Sequence, residues 1–182
     1  MSTISIINTR LSKYLKISTM TSLSTAVIFA FFMSFKTGLW HGIISGIVFG
    51  IILGIVMALF LVSMDYFYTR KLPDAAVSVY QEKELQLSGD IIHIYEICLN
   101  VLTELKYVKD ILSQKEKLAI SAVTKPTITS YGERISIHLE TLQSDVINLR
   151  ISSEPIIKKT LLDYGKNYNN VISISKQILR KL

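Results

Sequence analysis

Glycine recurs at every fourth residue from Gly38 through Gly42, Gly46 and Gly50 to Gly54, and Ala58 continues the series. Between them lie almost only large apolar residues. A glycine inside a soluble helix costs about 1 kcal/mol relative to alanine, so such a series would ruin a helix in water. In a bilayer the backbone must hydrogen-bond within its own segment, and the helix survives. Glycine there lets a second backbone come close. The stretch predicts a membrane helix with one smooth, narrow face.

The remaining composition is organised around that helix. Of the 182 residues, 49% are hydrophobic, and the excess lies before Met64. Residues 1–71 carry six Lys/Arg and one acid, Asp65, a net of +5. Residues 72–182 carry fourteen Lys/Arg and thirteen acids, a net of +1. This asymmetry describes membrane flanks and not a nucleic-acid-binding domain. Cys98 is the only cysteine, so there is neither an internal disulfide nor a zinc cluster.

A first span precedes the glycine helix. Residues 1–16 form a polar lead with Arg10, Lys13 and Lys16, and residues 17–35 then run without a charge. That run reaches about 28 Å, close to the ~30 Å hydrocarbon core. A signal peptide has the same plan, but no small-x-small cleavage site follows Phe35. Lys36-Thr37-Gly38 is the only break before the second span, 38–64, which extends to 71. Trp40 sits near the turn, and Tyr66 and Tyr68 mark the other interface. Two spans joined so closely form a hairpin. Arg10, Lys13, Lys16, Arg70 and Lys71 flank one side and Lys36 alone the other, so both termini are expected in the cytoplasm.

The first span carries its own small-residue stripe: Ser18, Ser22, Ala26, Ala30 and Ser34. In an antiparallel hairpin these are expected opposite Gly54, Gly50, Gly46, Gly42 and Gly38 respectively. The stripes either close the hairpin on itself or pack neighbouring subunits, as the glycine zippers of small oligomeric channels do. His41, the only ionisable group within either span, reads as an interfacial residue or a proton sensor.

Residues 73–182 read as a small α/β domain. Glu84 to Ser88 alternates like a strand and ends at Gly89. Asp90 can cap a helix whose apolar positions, Ile91, Ile94, Tyr95, Cys98, Val101, Leu102 and Leu105, continue to about Tyr107. Strands are expected over 117–122, 134–140 and 147–152, with a tight turn at Gln143-Ser144-Asp145. A last helix is expected from about Tyr168 to Lys181, with Val171, Ile174, Ile178 and Leu182 on one face. The fold class is therefore an α-helical transmembrane hairpin followed by a two-layer α/β domain, ordered strand–helix–strand–strand–strand–helix. One sheet face carries both helices and the other is polar.

No convincing catalytic constellation stands out in the sequence: it has no Gly-x-Ser-x-Gly elbow, phosphate loop or HExxH, and no paired carboxylates with a clear site. Cys98 lies on an apolar helix face with nothing to lower its pKa, and reads as an inert thiol. The compact motif is Asp163-Tyr164-Gly165-Lys166-Asn167. There Asn167 is expected to cap the last helix, Asp163 to tie the turn to backbone N–H groups, and Lys166 to offer an anion site beside a helix N-terminus. The outward sheet face carries Arg134, His138, Asn148 and Arg150. It reads as a solvated face or as a site for an acidic partner or lipid headgroups.

The run Ile147-Asn148-Leu149-Arg150-Ile151-Ser152-Ser153, followed by Asp163-x-Gly165-x-Asn167 opening a helix, resembles the end of small bacterial domains of unknown function. In those domains a strand ending in Arg-x-Ser or Arg-Ser leads to Asp-x-Gly-x-Asn. The resemblance covers about thirty-five residues and departs in the spacer. It implies a bacterial origin and a fold, and no activity.

Two functions compete. In one, the hairpin holds a cytoplasmic interaction or ligand-binding module at a bacterial inner membrane, with an unknown protein or small ligand as partner. In the other, the chain self-associates through its glycine helix as a subunit of a small channel or membrane-perturbing protein. The missing nucleophile, metal and acid–base sets argue against an enzyme, and no cofactor is expected.

Overall fold

The computed structural model describes residues 3–73, 78–128, 130–143 and 146–182. Asp74 and the expected Ser144–Asp145 turn lie outside the described residues. Two compact units emerge, Met1–Asp74 and Ala75–Leu182.

The first unit is two helices, α1 (Thr3–Thr37) and α2 (Leu39–Thr69). The expected polar lead is itself helical from Thr3, because no proline or glycine interrupts the chain before Gly38. Apolar windows of 26 and 31 residues, Ser12–Thr37 and Leu39–Thr69, are long enough to cross a membrane. Gly38 alone makes the connection, at φ +83°, where an L side chain is disfavoured.

Because Gly38 is the turn, it is not part of the helix contact: a Cβ there would meet nothing within 4 Å. This corrects the expected register by one four-residue step. Gly42 faces Ser34, Gly46 faces Ala30, Gly50 faces Ala26 and Gly54 faces Ser22. A Cβ on any of these four glycines would overlap the opposing backbone. The seam is also hydrogen-bonded. Thr25 Oγ1 donates to the Gly50 carbonyl at 2.6 Å, and Thr21 Oγ1 to the Gly54 carbonyl at 3.2 Å. At the open end, Tyr14 donates its hydroxyl hydrogen to Asp65 at 2.7 Å. Asp65 is 6% exposed, so this acid is buried and paired across the seam.

The second unit runs β1 (Gln81–Ser88), α3 (Ile91–Glu104), β2 (Val108–Gln114), β3 (Ala119–Thr124), β4 (Glu133–Gln143), β5 (Val146–Pro155) and α4 (Lys166–Lys181). The strands form one antiparallel sheet in the order β1-β5-β4-β3-β2. The order agrees with expectation except for β2, which follows the expected helix end at Tyr107 in a stretch where no element was expected. That edge strand carries a bulge between Lys109 and Leu112, with Asp110 at φ +50°. The bulge destroys the two-residue alternation by which a strand is recognised. Helix α3 stops three residues short of Tyr107 accordingly.

Both helices pack on one sheet face. Asp90 caps α3, accepting from the His93 N–H at 3.0 Å and the Ile92 N–H at 3.4 Å, an arrangement that stabilises a helix by about 1 kcal/mol. Ile94, Cys98, Val101 and Leu102 of α3 meet Val171, Ile174 and Ile178 of α4 over Ile135, Ile137, Leu149 and Ile151 in one buried core. Leu182, expected on that apolar face, is exposed beyond the helix end.

The seam generates a test. Spin labels on the exposed Leu15 and Leu59 should report a short, narrow distance in the intact chain. Gly50→Ala alone should lengthen and broaden it, because even one methyl group overlaps the Ala26 backbone. An unchanged distance would contradict this packing.

Candidate functional site

At the end of the sheet where β5 stops and β4 begins, two connections meet over a cleft of about 250 Å³. The β3–β4 connection contributes Ser130, Tyr131 and Gly132, and the segment after β5 contributes Ile157, Lys159, Thr160 and Tyr164. Two carboxylates in its lining are buried, Glu133 at 1% and Asp163 at 4% exposure.

Each carboxylate is held differently. Glu133 opens β4 on the sheet's inner side and accepts hydrogen bonds from the hydroxyls of Thr124 and Ser130. Its own N–H donates to Thr124 Oγ1 at 2.8 Å. Asp163 accepts from the Gly165 N–H at 3.2 Å on one oxygen. The other oxygen accepts from the Asn167 N–H at 3.0 Å and the Asn167 amide at 2.9 Å. Gly165, at φ +72°, precedes α4 with no side-chain cap of its own.

The expected cap is thereby corrected. Asn167 lies inside the first turn of α4, which begins at Lys166, and Asp163 supplies the capping oxygens. Asn167 is fully buried and ties the turn to the sheet. Ser153 Oγ donates to Asn167 Oδ1 at 2.6 Å, and the Asn170 amide donates to Ser153 Oγ at 3.2 Å. The Asp-x-Gly-x-Asn motif thus builds a buried polar joint between β5 and α4. Lys166 lies over the Tyr107 ring, 5.8 Å from its centroid, in cation–π range.

The outward sheet face is a separate surface, and its cations are occupied. Arg150 makes a two-nitrogen contact with Glu84, at 2.7 Å and 2.8 Å, with Glu82 at 3.7 Å. Arg134 lies 3.7 Å from Glu154. His138 stands opposite Arg150 in the β4–β5 register and is exposed. An anion would have to displace Glu84 and Glu154 to reach these guanidiniums. The sequence could not show this, since Glu82 and Glu84 lie about seventy residues from Arg150 and meet it only through the β1–β5 pairing.

Cys98 is fully buried, and burial pushes its thiol up to about 12, which leaves it unreactive near neutral pH. Burial raises the Tyr107 hydroxyl as well, with Ser173 opposing through a hydrogen bond. Among the described residues no group of three His, Cys, Asp or Glu side chains is arranged to hold a metal ion. The cleft's lining includes the hydroxyl residues Ser130 and Thr160, the Lys159 ammonium and the rings of Tyr131 and Tyr164.

No protein-family model matches the chain, and no curated protein sequence matches it. Among solved structures it aligns with the di-domain ARO/CYC StfQ from the steffimycin biosynthetic pathway, at 13% identity and a TM-score of 0.31. The alignment covers 71% of this chain and 56% of that one, and at that score it carries no argument about fold or activity.

The joint at Asp163 makes a prediction. Asp163→Ala removes three accepted hydrogen bonds and strands a buried amide, with an expected cost of about 2–3 kcal/mol. Hydrogen exchange should show lost protection across the first turns of α4. Unaltered protection at residues 166–170 would mean the helix is anchored elsewhere.

Proposed function

We propose that the chain is a two-pass anchor holding an α/β interaction or ligand-binding module at the cytoplasmic face of a bacterial inner membrane. The observation that carries this reading is the outer surface of the hairpin. Phe31, Phe35, Trp40, Ile44, Ile52 and Phe60 are all more than half exposed. The apolar windows of α1 and α2 are only 11% and 17% buried, so these are not the core helices of a soluble fold. An apolar surface of that extent needs lipid or protein to cover it. Lys13, Lys16, Arg70 and Lys71 at the open end, against Lys36 at the turn, favour cytoplasmic termini.

The module is read as binding rather than catalytic, and the cleft beside Glu133 and Lys159 is its ligand site in this reading. The competing account, a channel assembled through the glycine helix, has less support. Gly42, Gly46, Gly50 and Gly54 face residues of their own chain, so a neighbouring subunit would find that face taken.

Fractionation and topology test the proposal together. The protein should stay in the membrane pellet after alkaline carbonate extraction. A protease site appended to the C-terminus should be cut in inverted vesicles and protected in spheroplasts. Release by carbonate, or cleavage from the outer side, would contradict it.

A further inference from the structure

The cleft's two rims share an unusual surface. Ile128 is fully exposed, Tyr131 is 77% exposed, and Ile156 and Ile157 are 40% and 45% exposed. Beside them Lys125, Lys158 and Lys159 are exposed and make no ion pair with any described residue. The two segments belong to one surface: the Ile156 N–H donates to the Gly132 carbonyl at 3.1 Å. Residues 125–132 and 156–160 contain no acid. Glu154 and Glu82, on the adjoining strands, lie near Arg134 and Arg150, and the cleft's own carboxylates, Glu133 and Asp163, are buried.

This surface lies at one particular end of the sheet. Gln81, where the chain enters the domain, pairs with Ser153, while Glu133 pairs with Pro155 and Val123 with Arg134. The entry point and both apolar–basic rims are therefore at the same end. The β1–α3 and β2–β3 connections at the other end mix acids with bases, Asp90 and Glu116 with Lys115 and Lys117. Nine residues lie between Arg70 and Tyr80, a reach of at most about 36 Å when fully extended.

We propose that the paired loops around Ile128 and Ile157 dock on an anionic lipid surface, with the isoleucines and Tyr131 entering the interface and the three lysines meeting lipid phosphates. Exposed apolar residues ringed by unpaired lysines match the chemistry of such a bilayer, whose negative potential falls off within about 10 Å. A protein partner with an acidic rim is the competing occupant. The lipid surface is favoured because the tether enters at this end and keeps it within reach of a bilayer. The inference rests on the membrane-anchor reading.

The test uses the full chain in nanodiscs, with an environment-sensitive fluorophore on Ile128→Cys. The unsubstituted chain, whose Cys98 is buried, is the labelling blank. In equal parts phosphatidylcholine and phosphatidylglycerol the emission should shift to the blue and be quenched by lipids spin-labelled near the headgroup. In phosphatidylcholine alone, or with Lys125→Glu, Lys158→Glu and Lys159→Glu combined, both effects should be lost. An exposed probe in both lipids would overturn the inference and point to a protein partner. Equal burial in both lipids, or burial unmoved by the lysine substitutions, would overturn the anionic-lipid assignment. A chain that fails to enter nanodiscs at all contradicts the anchor reading instead, which keeps the two failures apart.

Discussion

The first unit depends on backbones touching where side chains would normally stand. With Gly42, Gly46, Gly50 and Gly54 set against Ser34, Ala30, Ala26 and Ser22, the two helices come close enough for threonine hydroxyls of one to reach carbonyls of the other. In a bilayer, lipid would offer apolar side chains no reason to leave it, and tight packing with interhelical hydrogen bonds would supply the association. Every large side chain displaced from the seam is pushed outward, which produces the exposed apolar surface on which the membrane-anchor proposal rests. The buried Asp65 fits the same logic, since Tyr14 satisfies it at the end of the seam.

The second unit is held by a conventional core with polar joints at its edges. Ile135, Ile137, Leu149 and Ile151 are almost wholly buried beneath α3 and α4. At one end, Asp163, Asn167, Ser153 and Asn170 exchange hydrogen bonds that fix the start of α4 on β5. Glu133 is fixed nearby by Thr124 and Ser130. Buried polar groups are costly unless paired, and among the described residues no buried side-chain nitrogen or oxygen is left without a partner. These joints hold the cleft rims in place, so the exposed loops project from a rigid base.

Much of this was legible in the sequence, for identifiable reasons. The glycine period and the charge-free runs are strong one-dimensional signals, and they pointed to the hairpin and its small-on-small contact. The offset was not legible: whether Gly38 is helix or turn moves every pair by four residues, and only its φ of +83° decides it. Alternation located four of the five strands, while the bulge at Lys109–Leu112 concealed β2. The Asp-x-Gly-x-Asn motif was recognised as a strand-to-helix joint, with the cap assigned to Asn167 in place of Asp163. The partners of the outward cations have no signature in the sequence, because Glu84 and Glu154 reach Arg150 and Arg134 only through strand register. Buried Glu133 gave no signal of its own, being one acid at the head of an alternating strand.

The central claim is that the glycine seam lies within one chain and in the register set by a one-residue turn. Solid-state NMR on the protein in lipid tests it without altering a residue. Isotope-labelled chains are diluted into an excess of unlabelled chains, and the cross-peak between Gly50 Cα and Ala26 Cβ is followed. The account predicts that this cross-peak persists in proportion to the labelled protein. Its disappearance on dilution, or its replacement by a Gly46–Ala26 cross-peak, would contradict the account.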